Sequence, residues 1–153
     1  MIKGSAVEYG ETICKKRIKE VDMHQEIKSI RTFIGAKDFY TSRSFYRDLG
    51  FEEKVITEKM SLFTINKLSF YLQDYYVKDW IENSMILLEV SDVQGYFNFL
   101  QQLELDKKYL NTKLHPLQER EWGIECFLVD PSGVLWHFAE FGRRPAIDKP
   151  IVY

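Results

Sequence analysis

The chain has 153 residues, a formal net charge of -2 at pH 7 and a hydrophobic share of 45%, with aromatic residues at 15%. This length suits one domain, or two small modules that share a core. The slightly acidic balance argues against general nucleic-acid binding, which needs a basic stripe, and no apolar run reaches the ~18 residues of a membrane-spanning helix. Cys14 and Cys126 form no metal-binding spacing and no disulfide framework, so we expect a reducing, cytoplasmic location.

Residues 1–28 are predicted to be an N-terminal extension without strong periodicity. Two interpretations of it stay open. Lys19-Glu20-Val21 can be encoded by a bacterial ribosome-binding sequence just before Met23, in which case residues 1–22 do not belong to the native protein. Alternatively, a helix over roughly residues 10–19 packs against a partner subunit, because an ordered terminus is usually attached to something.

The next part of the chain predicts a strand, a helix and three more strands. An alternating apolar segment over residues 30–36 favours a strand, and Asp38 then suits the N-cap of a helix that ends at Gly50. Strands are predicted over residues 53–57, 61–65 and 68–73, with Asn66-Lys67 as the turn between the last two. The apolar stripe of the helix consists of Phe39, Ser42, Phe45, Tyr46 and Leu49.

The same order recurs after a connector over residues 75–83, in which residues 78–81 suit one helical turn. A strand is predicted over residues 85–90, Asp92 caps a second helix, and a polar connector covers residues 106–111. Strands follow near residues 113–117, 124–129 and 134–141, and Asp130-Pro131-Ser132-Gly133 is typical of a type I turn. The order βαβββ therefore occurs twice, and such a repeat determines the architecture. The stripe of the second helix is Val93, Tyr96, Phe97, Leu100 and Leu103.

Residues 29–141 resemble the vicinal oxygen chelate superfamily, which includes glyoxalase I, extradiol dioxygenases, and fosfomycin- and bleomycin-resistance proteins. The resemblance rests on the helix motif from Asp38 to Phe51 and on Trp122-Gly123 followed by the Asp130–Gly133 turn. It implies an α+β fold in which paired βαβββ modules, residues 29–74 and 85–141, form a half-open barrel with a cavity. Residues 142–153 are then a C-terminal tail. Many members of the superfamily dimerise, so we expect a homodimer to which the sheets or the N-terminal extension contribute.

The resemblance also locates the positions at which metalloenzymes of the superfamily hold their ion with His, Glu or Gln. The matching residues here are Arg31, Tyr71, Met85 and His137. Only His137 is a ready ligand for a divalent ion, because an arginine is a permanent cation and a thioether is too soft for oxygen-seeking ions. One ligand in four cannot build a metal site, so we expect neither a metal nor another cofactor.

Strand alternation predicts which side chains line the cavity: Arg31, Phe33, Tyr71, Gln73, Met85, Glu89 and His137. An aromatic-rich pocket with a few converging polar groups is the usual form of a small-molecule site. Arg31 either holds an anionic group of a ligand or neutralises Glu89, and both interpretations stay open. His137 is either a hydrogen-bonded wall residue or an acid–base group that acts with Glu89 or Tyr71. Trp122 either packs beside Gly123 or closes the mouth of the pocket.

Three kinds of function are compatible with these residues. The leading one is a metal-free binding protein of the bleomycin-resistance type, which sequesters or senses a small aromatic or acidic compound. The alternative is a lyase, isomerase or dioxygenase-type enzyme with altered metal ligands, or with His137 as its acid–base catalyst. In the third, the cavity has closed and the surface binds a partner. We expect no nucleic-acid or membrane partner.

Overall fold

The computed structural model describes residues 26–142, so the predicted helix over residues 10–19 and the tail from residue 143 lie outside the described residues. The compact unit that holds the secondary structure begins at Arg31. Within residues 26–142, none of the helices is long and apolar enough to cross a membrane. The elements of the first module are β1 (Phe33–Gly35), α1 (Phe39–Asp48), β2 (Glu52–Thr57), β3 (Met60–Ile65) and β4 (Leu68–Gln73). They are followed by α2 (Lys78–Ile81), β5 (Met85–Glu89), α3 (Val93–Leu103), α4 (Leu105–Lys108), β6 (Lys113–Arg120), β7 (Gly123–Val129) and β8 (Leu135–Phe141).

The strands form two sheets of four, with the orders β1-β4-β3-β2 and β5-β8-β7-β6. In each sheet the first strand of the module runs parallel to the last, and the other neighbours are antiparallel. Phe33 lies opposite Tyr71 in the first sheet, and Leu87 lies opposite His137 in the second. Tyr71 and His137 therefore occupy equivalent places in the two sheets. The prediction of paired βαβββ modules in a half-open arrangement is confirmed, and the sheets do not close into a barrel.

Both predicted helix caps are present. The Asp38 carboxylate accepts a hydrogen bond from the Thr41 amide, and the Asp92 carboxylate accepts one from the Gly95 amide, each at 2.9 Å. These bonds satisfy amides that have no partner within the first turn of a helix. After α3, Glu104 adopts a left-handed conformation, and the predicted polar connector contains the short helix α4 instead of only loop.

The core lies between the helices and one face of each sheet. Tyr46 of α1 is fully buried, and its ring meets Phe63 and Phe70 of the first sheet and Trp136 of the second. One helix of the first module therefore packs against strands of both modules. The predicted stripe of α1 is buried throughout, and the largest fully buried side chains are Trp136, Tyr46, Phe45, Phe63, Phe138, Leu49, Leu72 and Leu128.

Hydrogen bonds connect the turn between β7 and β8 to residues of the first module. Gly133 donates its amide to the Asp130 carbonyl and has φ of 101°, a conformation that favours glycine. The Ser132 hydroxyl lies 3.1 Å from the Ser42 hydroxyl of α1 and accepts from the Lys37 amide at 2.9 Å. The turn motif that carried the family resemblance thus has a structural role, because it joins the two modules.

The first strand is shorter than the sequence predicted. Residues 30–36 alternate, but only Phe33–Gly35 pair with β4 as a strand, and Ile30 is almost fully exposed. The other predicted strands agree with the observed ones to within a few residues. The last part of β6, as far as Arg120, was not predicted, and it pairs with the start of β7.

Candidate functional site

Each sheet has one face covered by helices and one face free of them, which we call the open face. In β8, Trp136 and Phe138 are buried on the covered side, and His137 between them points to the open face. The apolar side chains on the open faces remain accessible, since Phe33 is 59% exposed and Met85 is 68% exposed. The sequence-predicted site residues therefore lie on open sheet surfaces within the described part of the chain.

On the open face of the first sheet, three of the predicted residues contact one another. The Phe33 and Tyr71 rings stack with centroids 4.9 Å apart and planes inclined by 18°. The Arg31 guanidinium donates a hydrogen bond to the Tyr71 hydroxyl at 3.2 Å and lies 5.9 Å from the centre of the ring. Gln73 is half-buried on the same strand face as Tyr71. These residues form an exposed aromatic platform with a cation at its side, which we call the Arg31 platform.

The other predicted residues lie on the open face of the second sheet. Leu87 is the strand neighbour of His137, and the Phe127 ring meets the His137 ring edge-on with centroids 4.7 Å apart. Met85 and Glu89 are exposed on the same side of β5. The apolar side chains of Leu87 and Phe127 therefore border the imidazole.

Sequence reasoning missed Glu125, which is the closest polar partner of His137. Its side chain is only 5% exposed, and its two oxygens lie 2.7 Å from Arg120 Nε and 3.1 Å from His137 Nδ1. Because Glu125 lies opposite Ala139 in the sheet, it shares the open face with His137. A charged residue at an inward-facing position of the predicted strand 124–129 was the signal that could have revealed it.

The described residues do not show the predicted convergence of all polar groups. Within residues 26–142, no hydrogen bond, ion pair or ring contact joins Arg31, Phe33 or Tyr71 to the open face of the second sheet. Arg31 is bonded to Tyr71, and no ion pair with Glu89 occurs in this part of the chain. His137 is bonded to Glu125, neither to Glu89 nor to Tyr71. Glu89 instead lines a separate groove of about 420 Å³ at the start of α3, near Asn66 and Tyr96.

The residues at the superfamily's metal positions do not fit a metal ion. The Arg31 guanidinium lies at the Tyr71 hydroxyl, and Tyr71 is another of the four positions. This positive charge would repel a metal cation bound there. Met85 offers only a thioether, which leaves His137 as the one ready ligand among the four positions, and one ligand cannot build a metal site. In the described residues, no group of three or more His, Cys, Asp or Glu side chains is arranged to hold a metal ion.

Trp122 lies at the turn between β6 and β7 and contacts Phe141 of β8, with ring centroids 5.0 Å apart. The following residue, Gly123, is required by close packing, because an added Cβ would lie 2.1 Å from the Glu140 carbonyl oxygen. Packing therefore accounts for the Trp-Gly pair, although the Trp122 ring is still partly exposed. A role of Trp122 at the mouth of a ligand site stays a prediction.

No protein-family model and no curated protein sequence matches the chain. Solved structures do match in fold. A bleomycin-binding protein from bleomycin-producing Streptomyces verticillus, complexed with copper(II)-bleomycin, has a TM-score of 0.62 at 19% identity, covering 75% of this chain and 98% of that chain. The antibiotic-binding protein TnmS3 from a Streptomyces species has a TM-score of 0.60 at 16% identity, covering 77% and 99%.

A lactoylglutathione lyase from Agrobacterium tumefaciens is also similar, with a TM-score of 0.56 at 14% identity, covering 75% of this chain and 95% of that chain. Binding proteins and an enzyme thus share this arrangement of strands and helices, so the fold does not decide between the two kinds of function. The chain has the fold of the bleomycin-resistance and glyoxalase-like proteins, which is the fold of the vicinal oxygen chelate superfamily.

Proposed function

We propose that this chain is a metal-free small-molecule-binding protein that sequesters or senses an aromatic or acidic compound in the cytoplasm. The observation that carries the proposal is the Arg31 platform, in which stacked Phe33 and Tyr71 rings lie beside a guanidinium. Bleomycin-binding and antibiotic-binding proteins of this fold support a binding role. The misfit of the four metal positions argues against the metal-dependent chemistries of the superfamily.

The platform would bind a flat ligand by two kinds of contact. A planar ring would stack on an outer face of the stacked Phe33–Tyr71 pair, and an anionic group at its edge would accept hydrogen bonds from Arg31. Arginine has five N–H donors, and the hydrogen bond to the Tyr71 hydroxyl uses one of them, so further donors of Arg31 could bind a ligand. Gln73, Met85, Glu89 and His137 would complete the site if the two open faces contribute to one ligand cavity.

A homodimer is part of the proposal. Large apolar side chains on the open faces are exposed in the described chain, and a second copy would remove them from water. Removal of apolar surface from water favours association, against the loss of translational and rotational freedom of the two chains. Sedimentation velocity at micromolar concentration should show a dimer, and a monomer at that concentration would contradict this part. The exposed apolar residues of the open faces include Phe33, Met85, Leu87 and Phe141.

Ligand binding by an Arg31→Ala variant tests the proposal. A panel of aromatic carboxylates and bleomycin is titrated by calorimetry into wild-type protein, Arg31→Ala, and Lys67→Ala as a control that removes an exposed cation from the β3–β4 turn. We expect Arg31→Ala to weaken binding of an aromatic carboxylate by ~1–3 kcal/mol, the loss of a charge-assisted hydrogen bond. Lys67→Ala should bind as wild type does.

Melting of the same variants separates a ligand role from a structural one. Arg31 is exposed, so Arg31→Ala should change the melting temperature little. If Arg31 mainly neutralises Glu89 in the assembled protein, Arg31→Ala will be strongly destabilised and Glu89→Gln will relieve the loss. The proposed function would be contradicted if no compound of the panel binds to wild-type protein, or if Arg31→Ala binds the compounds as tightly as wild-type protein does.

A further inference from the structure

The Glu125 carboxylate on the second sheet is a nearly buried charge with two different partners. Arg120 Nε donates to one oxygen at 2.7 Å, and His137 Nδ1 lies 3.1 Å from the other. A second guanidinium nitrogen of Arg120 donates to the Gln118 side-chain carbonyl at 2.6 Å, which gives the arginine a second hydrogen-bond partner. The three residues occupy neighbouring strands β6, β7 and β8, so the sheet itself sets their spacing.

This arrangement determines where His137 carries its proton. An ionised carboxylate only accepts hydrogen bonds, and Arg120, which is permanently charged, keeps Glu125 paired. The nitrogen that faces Glu125, Nδ1, must therefore be the protonated one, because a hydrogen bond at one ring nitrogen sets the state of the other. In the neutral ring, Nε2 then has a free lone pair and acts as an acceptor.

The surroundings of His137 make that lone pair suitable for recognition. The side chain is 20% exposed on the open face, and within residues 26–142 no group donates a hydrogen bond to Nε2. The Phe127 ring and the strand neighbour Leu87 border the imidazole and supply an apolar wall. An acceptor beside apolar surface favours a flat ligand that carries one N–H or O–H donor.

We propose that His137 Nε2 is the hydrogen-bond acceptor of the ligand site and that Glu125, held by Arg120, is the positioning residue that fixes its tautomer. This inference rests on the proposed function, because it names a second recognition group for the same bound compound. The ligand class is an aromatic or heteroaromatic molecule with a phenolic O–H or a ring N–H. It differs from the anionic group that Arg31 would recognise.

Nitrogen-15 NMR of the histidine side chains tests the positioning role without any ligand. When the imidazole of wild-type protein is neutral, the His137 shifts should show the Nδ1–H tautomer. Glu125→Gln should invert it, because the amide oxygen stays with Arg120 and the amide NH₂ then faces Nδ1 as a donor. His115, whose ring centroid lies 6.4 Å from that of Phe127, is the internal control, and its tautomer should not change. An Nε2–H tautomer in wild-type protein would overturn the proposal, even if Glu125→Gln does not fold.

Phenol and anisole test the recognition role, since anisole has a methoxy group in place of the O–H donor. In wild-type protein, phenol should bind about two- to tenfold more tightly than anisole, the ratio expected for one neutral hydrogen bond, with shift changes at His137. In Glu125→Gln the two probes should bind equally. Equal binding to wild-type protein, or binding that leaves His137 unchanged, would overturn the ligand class.

The two proposals fail in different ways. If aromatic carboxylates bind through Arg31 while His137 shows the Nε2–H form, the proposed function stands and this inference falls. If His137 has the expected tautomer and distinguishes phenol from anisole while Arg31→Ala has no effect, the platform is wrong and this inference stands.

Discussion

The Tyr46 hydroxyl donates a hydrogen bond to the Asp130 carboxylate at 2.6 Å and thereby ties the helix of one βαβββ module to the β7–β8 turn of the other. The same carboxylate accepts the amides of Ser132 and Val134 at 2.9 and 2.8 Å. Burial raises the pKa of Asp130 above its ordinary value, and these donors oppose that effect. A fully satisfied buried network of this kind specifies one packing of the modules.

Tyr46→Phe should therefore destabilise the protein with little change in shape. The variant removes one donor from a buried carboxylate, and a hydrogen bond to a charged group contributes about 1.5–3 kcal/mol. Urea unfolding followed by circular dichroism measures the difference. Tyr40→Phe removes a hydroxyl from the same helix at an exposed position and should have almost no effect. Equal stability of Tyr46→Phe and wild-type protein would show that the bond contributes nothing net.

Stability should fall in acid because of Glu53. Burial acts to raise the pKa of this carboxyl, but hydrogen bonds from Arg43, Ser61 and Arg47 outweigh it and hold the pKa below the ordinary value of 4.5. A carboxyl with a lowered pKa stabilises the fold above its ordinary pKa, and that contribution is lost as the pH falls through the folded-state pKa.

The comparison of unfolding free energies at pH 7 and pH 3 tests the role of Glu53. The Glu53→Gln variant should lose less stability between these pH values than wild-type protein does, because it has no proton to take up at this site. Glu52→Gln, at the exposed neighbouring position, should keep the wild-type drop. A parallel pH dependence of all three proteins would contradict the assignment.

Cys126 should be unreactive in the folded protein. Its side chain is fully buried, and burial together with the nearby Glu125 charge raises the pKa of the thiol to about 12. Since the thiolate is the reactive form, a Cys14→Ser variant should react with Ellman's reagent only as fast as it unfolds. The same variant in urea provides the fully reactive reference. Reaction of the folded protein at the reference rate would disprove the burial of Cys126.

Metal analysis tests the metal-free character of the site. Purified protein should contain less than one tightly bound divalent ion per chain, because Arg31, Tyr71 and Met85 occupy three of the four superfamily metal positions. Inductively coupled plasma mass spectrometry measures the content, with His137→Ala as the control for ions bound through the imidazole. Stoichiometric zinc, iron, manganese or nickel that disappears in His137→Ala would contradict the expectation.

Much of the fold was predictable from local patterns. Asp38 and Asp92 begin helices because a carboxylate at that position satisfies free amides, whatever the rest of the chain does. Tyr71 and His137 were assigned to equivalent places because each lies the same number of residues after a turn, on a strand whose side chains alternate between the two faces. The start of β1 was misjudged, since pairing with β4 decides where the strand begins and alternation alone does not.

The sequence by itself determined the repeat, the caps, the covered and open faces, and the residue types at the four metal positions, because each depends on spacing along the chain. Only the tertiary structure decided which side chains are hydrogen-bonded to one another. It joined Arg31 to Tyr71 and His137 to Glu125, and it placed the Asp130 turn against Tyr46, a residue 84 positions away. Such pairs depend on which strands become neighbours and on how the modules pack. The local alternation of apolar and polar residues carries no information about contacts between residues so far apart in the sequence.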